Sequence, residues 1–524
     1  MLADDTRLSY ADVAAESRRL ADGLVALGVV PGDRVGMIMA NYPEFVTVKF
    51  AIARVGALAV PFNYFYRQDE LRYVLSDAGC RVLVIMSGFR GLDYQSMLDA
   101  IMPGWDSPMP DASWSVVLLD TDGRARPDCR TLTGLAVLGD GNPGASDGLA
   151  VDPDSASDML YTSGTTGSPK GVLVTHDAVL RTAYASALTR AYEDGRRILF
   201  SLPCYHMFGY IEGLLSVMFV GGAIIPRTIF SAESYFAGIQ RHRASDILCV
   251  PTMAVALVES SAREHYDLSS LNAILCGSAP APIWLWRQIE EDIGVSEIVT
   301  GYGMTEAGGA MTLTRPEDPL HLTSETVGKP KMAGAASVPD TDALVVYKAV
   351  HPQTGQDLPA GGEGELASSG PTVMLGYWNR LEDTAATLRD GWLFSGDLGR
   401  VRADGYLQLT GRSKELYKSG GELVMPKEIE DLLAGHDEIS QVFAVGLVDD
   451  RWGEIGCVVV VPVAESTLTE DDVLDVCRTK LARFKVPKRV VFYRAEDLPT
   501  TPTGKVQKYR LVKQLTSTSR SLEP

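Results

Sequence analysis

The sequence predicts an α/β protein: a large N-terminal domain of two doubly wound sheets with a small β-barrel subdomain, then a small α+β C-terminal domain. Three observations carry this expectation. Helical and strand patterns alternate over the first hundred residues and again from about 155 to 310. From about 335 to 411 the text changes to short strands without long helices. After Gly411 a compact tail of mixed elements follows, so the domains are read as 1–411 and 412–524. At 524 residues the chain exceeds the size at which one core keeps growing.

Each element has a local reason. "SYADVAAESRRLADGLVALG" places Val13, Leu20, Leu24 and Leu27 on one helical face, with Ser9 as cap and Gly28 as stop. "RVGMIMA" (34–40) reads as a buried strand, "PEFVTVKFAIARVGA" as a helix, "LAVPF" as a strand, "DELRYVLSDAG" as a helix and "CRVLVIM" as a strand, the order of a parallel sheet. "GDGNPGASDGLAVDPDSASD" (139–158) is an exposed connection before the second round. "ALVVYKAV", "GEGELASS", "GWLFSGDLGRV" and "GYLQLTG" supply the barrel-like strands. In the tail, Pro426 opens a helix, "CVVVVPV" is a buried strand, and Thr469 caps a helix three residues before Asp472.

Bulk properties narrow the partners. Forty-eight basic against 67 acidic residues give a formal charge of −19, which disfavours nucleic acid and anionic membrane. Seven scattered cysteines without a C-x-x-C pair indicate neither a disulfide framework nor a zinc site, and a reducing cytoplasm fits. The most apolar stretch, "GYIEGLLSVMFVGGAII" (209–225), carries Glu212 and is short for a membrane span, so it is read as core and no transmembrane segment is expected.

"YTSGTTGSPKGV" (161–172) packs three glycines, five serine and threonine hydroxyls and a lysine into twelve positions. Such a backbone can aim amide N–H groups at a phosphate, with the Ser163, Thr165 and Thr166 hydroxyls adding donors. Lys170 follows Pro169, so the spacing is not that of a P-loop. Taken alone, the stretch reads equally as a surface turn. It is followed by "PCYHMFG" (203–209), "CGSAPAP" (276–282), "GYGMTE" (301–306), "WLFSGDLG" (392–399), "GRSKELYKSGGE" (411–422) and "PTGKV" (502–506). In this order the series resembles the adenylate-forming superfamily, in its acyl-CoA synthetase branch of AMP-binding enzymes, over nearly the whole chain. Members of that family carry a few tens of residues before the segment matched by "RLSYADV", where six precede Arg7 here, and a homodimer is left open.

The resemblance implies a two-step reaction. A carboxylate attacks the α-phosphate of ATP, pyrophosphate leaves, and a thiol then takes the acyl group. Both first-step reactants are anions, so positioning and charge neutralisation dominate. By resemblance Thr162, Ser163, Gly164, Thr165, Thr166 and Gly167, with Lys170, hold the β- and γ-phosphates. Thr305 contacts the α-phosphate and Glu306 holds Mg2+, a hard cation suited to carboxylate oxygen; read alone, Glu306 is a helix-cap carboxylate. Gly277, Ser278, Ala279 and Pro280 with Tyr302 form the adenine slot. Asp397 clamps the ribose, although alone it reads as a turn residue. Arg412 contacts ribose and phosphate. Lys505 is the adenylation lysine; alone it is an ordinary solvated lysine.

The resemblance also implies that the C-terminal domain is mobile and rotates between the steps about Lys414. Gly420 and Gly421 then line a tunnel for the pantetheine of CoA, where they otherwise read as a turn. Phe484 would stack on the CoA adenine, and Lys485, Lys488 and Arg489 would meet its phosphates. An acyl carrier protein is an alternative acceptor, and a nonenzymatic acyl-adenylate sensor is a further alternative on the same fold. For the acid, "YHMFGYIEG" lacks the Asp with which amino-acid-activating relatives bind an α-ammonium. His206 is a gating or carboxylate-orienting group, or a core histidine bonded to backbone. Met207, Phe208 and Tyr210 with Ala307, Gly308 and Gly309 leave apolar space for a large apolar carboxylic acid.

Overall fold

The computed structural model describes the chain except residues 4–5, 107–113, 163–168, 279–280, 353, 413–414, 416, 420–421, 450–452, 482–484, 502–503 and 521–524. Two sheets stand at its centre. The first runs, among the described residues, Gly376–Tyr377, Lys170–Thr175, Ala156–Thr162, Leu58–Pro61, Arg34–Ile38, Val82–Met86 and Ser115–Leu119. Its last five strands are parallel, as the alternation predicts. The other two are antiparallel, because the hairpin of Ala156–Thr162 with Lys170–Thr175 turns at the phosphate-loop motif and Gly376–Tyr377 adds to its edge. The second sheet is wholly parallel, in the order Ala223–Pro226, Arg197–Phe200, Asp246–Cys249, Ala273–Cys276 and Glu297–Val299.

Helices between the sheets give them a common core. Tyr10–Ala26 is capped by Ser9, whose hydroxyl accepts from the Asp12 amide while Asp12 answers in a capping box. Its buried Leu20 and Leu24 share one cluster with Phe45 and Ile52 of helix Pro43–Val55, with Phe200 and Ile211, and with Met311. The apolar stretch after His206 forms a π-helix over Phe208–Leu215 followed by a 3₁₀ turn over Ser216–Val220; it is buried, as expected, from Gly209 to Val217, whereas Phe219 is exposed. Among the described residues no helix is long and apolar enough to cross a membrane.

The expected barrel-like part is an antiparallel sheet of Val346–Val350, Gly364–Ser369, Trp392–Val401 and Leu407–Arg412, with Leu388–Arg389 at its edge. The C-terminal part has its own core, in which Ile429 and Leu433 of helix Pro426–Ala434 and Val473 of helix Glu470–Lys480 pack on Val442, Val458 and Val460. Thr469 caps the second helix through the Asp472 amide, again with a capping box.

Candidate active site

The site lies where the strand ends of both central sheets meet the barrel-like sheet and the loop 501–505. Thr162 and Lys170 face each other across the hairpin, and the six residues from Ser163 to Ser168 between them in sequence, of which Ser163, Gly164, Thr165, Thr166 and Gly167 are the expected phosphate donors, lie outside the described residues. Lys170 is placed: its Nζ sits 2.8 Å from Asp383 Oδ1 and 5.3 Å from the centre of the Tyr377 ring. The Tyr377 hydroxyl donates at 2.9 Å to Glu306 Oε1. Burial, with Glu306 beside it, pushes that phenol up. The lysine expected on the phosphates and the carboxylate expected on the metal thus belong to one cluster, joined through Tyr377 and Asp383. Neither of those two is signalled by the sequence, because "GYWNRLEDT" is short and carries no periodic pattern.

Thr305 and Glu306 start a single 3₁₀ turn over Thr305–Ala307. Thr305 is buried, and Glu306 is half-buried with its carbonyl accepting from the Met374 amide at 2.8 Å. A half-buried carboxylate with one oxygen held by a phenol is a hard oxygen donor of the kind a magnesium ion takes. Gly277 follows directly on the buried strand Ala273–Cys276, and a Cβ there would meet Phe208 Cζ at 3.5 Å. Ser278 takes a left-handed conformation, φ 72°. Ala279 and Pro280 lie outside the described residues.

Tyr302 donates its hydroxyl to Asp397 Oδ2 at 2.6 Å. Burial is the larger cause, and the adjacent carboxylate the next, of a phenol held far above its ordinary pKa. The bond fixes the ring plane, while Asp397, itself buried, stands on the long strand Trp392–Val401 opposite Arg412. The side chain of Arg412 lies outside the described residues, as do Lys414, Gly420, Gly421 and Phe484.

Lys505 is carried on a tight turn: the Thr501 amide donates to the Lys505 carbonyl at 2.7 Å and the Lys505 amide to Thr501 Oγ1 at 3.1 Å. A Cβ on Gly504 would lie 2.9 Å from Val250 Cγ2 and 3.1 Å from Thr252 Oγ1, so the turn is seated on the start of helix Pro251–Glu259, just past the end of strand Asp246–Cys249 of the second central sheet. Lys505 is near enough to His206 to act on it. Burial first and this cation second push the imidazole down to about 4. The Phe208 amide points at His206 Nδ1 at 3.4 Å, which leaves Nε2 as the N–H of the neutral ring.

Behind His206, Met207 and Tyr210 are buried and Phe208 half-buried. Gly309 faces the π-helix, and a Cβ there would meet Ile211 Cγ1 at 3.6 Å, Thr182 Cγ2 at 3.7 Å and Met207 Cβ at 3.8 Å. Ile211 and Thr182 therefore join the expected apolar wall. The space expected at Gly308 is not there: a Cβ would press on the Thr372 carbonyl at 2.6 Å, and φ is 86°, so glycine is required by packing and backbone. Ala307 is buried within the main core cluster. In the basic patch expected for CoA, Lys485 is engaged by an acidic residue while the Lys488 side chain is exposed. Lys485 Nζ lies 2.7 Å from both oxygens of Glu428, while the exposed Lys488 is tied by its amide to the Gly456 carbonyl.

Comparison with known proteins agrees with this geometry. The model of the AMP-binding enzyme family matches residues 1–378, and that of the AMP-binding enzyme C-terminal domain matches 428–505. Feruloyl-CoA synthase from Amycolatopsis is 34% identical over 506 residues, covering 96% of this chain and 93% of that protein. The long-chain-fatty-acid–CoA ligase FadD13 of Mycobacterium tuberculosis is 32% identical over 521 residues, covering 98% and 94%. The crystal structure of the anthranilate CoA ligase AuaEII with anthranoyl-AMP superposes with a TM-score of 0.84 at 25% identity, covering 99% of this chain and 94% of that one.

Proposed function

Because the chain belongs to the AMP-binding enzyme family and is an AMP-forming acid–thiol ligase, we propose that it activates a carboxylic acid with a large apolar body as the acyl adenylate and passes the acyl group to CoA. The observation that carries this reading is the seating of the Lys505 turn on Val250 and Thr252, with its cation near enough to His206 to act on it. The acid's carboxylate would lie between them. Neutral His206 offers its Nε2–H to one carboxylate oxygen, and Lys505 meets the charge that grows on the α-phosphate as the other oxygen attacks and pyrophosphate departs. Lys170 and residues 163–168 receive the leaving phosphates. Glu306 would hold a magnesium ion, which neutralises phosphate charge.

Tyr302, anchored through Asp397, presents its ring to the adenine, and the carboxylate turns to the ribose hydroxyls. In the second step the CoA thiol, losing its proton, attacks the acyl carbonyl and AMP leaves. The domains 1–411 and 412–524 would move relative to one another between the steps about Lys414, with Gly420 and Gly421 lining the thiol's path. Met207, Phe208, Tyr210, Ile211 and the bare face of Gly309 enclose the acyl body. A cytoplasmic location accords with use of ATP and CoA.

Lys505→Ala tests the reading. Pyrophosphate release with a panel of acids should slow by roughly two to three orders of magnitude, whereas thioester formation from synthetic acyl adenylate and CoA should survive. Equal loss of both steps in a folded variant would refute it. Running the second step with holo-carrier protein in place of CoA decides the acceptor.

A further inference from the structure

Glu212 is the one acidic residue of the π-helix Phe208–Leu215, and it is fully buried. Its two oxygens are treated unequally. Oε1 accepts from Lys331 Nζ at 2.7 Å and from Ser186 Oγ at 2.9 Å, and both partners are themselves buried. Among the described residues, Oε2 has no hydrogen-bond partner. Buried polar atoms are nearly always satisfied, so a carboxylate oxygen left bare inside a protein calls for a donor from outside the chain.

Its position says where that donor would come from. Ile211, the preceding residue, would lie 3.6 Å from a Cβ at Gly309. Ser186 lies one turn along the helix His176–Thr189 from Thr182, which would lie 3.7 Å from the same Cβ. The carboxylate thus follows one residue of the expected acyl wall in sequence and is bonded one helical turn beyond the other. π-Helical turns are rare and concentrate at functional sites, and this one places a charge in an otherwise apolar run.

We propose that Glu212 Oε2 reads the distal end of the acid, and that the preferred substrate carries a hydroxyl or other neutral hydrogen-bond donor there. The inference rests on the acid-activating function proposed above. The donor is neutral because Lys331 already balances the charge of Glu212, so a second cation would leave an excess positive charge in the core. Burial lowers the Lys331 ammonium while Glu212 opposes that shift, in keeping with a pair that is closed to solvent.

The full chain should be assayed for acid-dependent pyrophosphate release with matched pairs: 4-hydroxycinnamate and cinnamate, 12-hydroxydodecanoate and dodecanoate, 6-hydroxy-2-naphthoate and 2-naphthoate. A hydrogen bond to a charged group corresponds to a preference of roughly 10- to 150-fold in kcat/KM. The hydroxylated member of at least one pair should be favoured by that factor. In Glu212→Leu/Lys331→Met, which removes both charges together, the ratio should fall to near one; Glu212→Gln, which keeps the shape, should lower it if the double variant does not fold. No preference in any pair for the unaltered chain, or a preference that persists in a folded variant, overturns the proposal. Absence of pyrophosphate release with every acid would instead overturn the acid-activating function itself.

Discussion

Asp383→Asn should tighten ATP use. In the ligand-free protein the Lys170 ammonium is 11% exposed and the Asp383 carboxylate 37%, with 2.8 Å between them. To meet the departing phosphates, Lys170 must leave this partner, so the pair opposes nucleotide binding by its own net strength. A half-exposed ion pair of this kind contributes about 0.5–1 kcal/mol, which corresponds to roughly a two- to fivefold lower KM for ATP when the carboxylate is neutralised. The Tyr377 ring, 5.3 Å from the ammonium, stays in place and keeps the side chain oriented. The assay is pyrophosphate release against ATP concentration at low ionic strength, repeated in Lys170→Met. There the aspartate has no lysine to hold, and Asp383→Asn should change nothing further. A higher KM in Asp383→Asn, or the same change in both backgrounds, would refute the exchange of partners.

Three other expectations follow from buried or facing charges. His206 titrates near 4 in the folded protein against an ordinary 6.5, so below pH 6.5 the unfolded chain takes up a proton that the native one refuses. Stability should therefore fall as pH drops from 6.5 towards 4, and His206→Gln should flatten that slope in urea melts. In Lys505→Ala the His206 pKa read by NMR should rise but stay below 6.5, since burial is the larger cause; an unchanged value would mean that Lys505 does not face the ring. Asp246→Ala strands Arg190, whose Nη2 lies 2.7 Å from both oxygens of a fully buried carboxylate, and should cost about 3–5 kcal/mol of unfolding free energy. A loss below 1 kcal/mol would show that the guanidinium finds another partner.

The alternation of helices and strands made both central sheets legible, because a parallel strand buried on both faces reads as an apolar run and some helices carry their own cap, as Ser9 does for Tyr10–Ala26. The edge strand Gly376–Tyr377 was not legible, since two residues hold no period. The site residues with motif character, Lys170, Thr305, Glu306, Tyr302, Asp397, His206 and Lys505, stand on the elements that meet at the proposed site. Their partners were hidden. Asp383, Tyr377 and Lys331 lie 213, 71 and 119 residues from the groups that they hold, and a contact of that span is fixed by topology, not by local pattern. Gly308 and Gly309 show the same limit. Both read as absent bulk, but Gly308 answers to the Thr372 carbonyl, and Gly309 has φ 116°, so any side chain there is strained whatever the space beside it.

The charged groups of the proposed nucleotide site share one arrangement. Lys170 is held by Asp383, Glu306 by the Tyr377 hydroxyl, and Asp397 by the Tyr302 hydroxyl. An unpaired charge in a partly buried cleft would move, recruit water or shift its pKa, and its position would be lost before the substrate arrived. Partners supplied by the protein keep each charge near where it will be used, so binding ATP becomes an exchange of one partner for another. The exchange lowers affinity by the strength of the pairs given up, which is small where they are half-exposed. In return the donors need little reorganisation when charge develops on the α-phosphate, which is the condition under which electrostatic stabilisation accelerates a reaction between two anions. Glu212 and Lys331 extend the same logic to the acyl end. There the pair is fully buried, one oxygen is left bare, and the missing partner is a group of the acid itself.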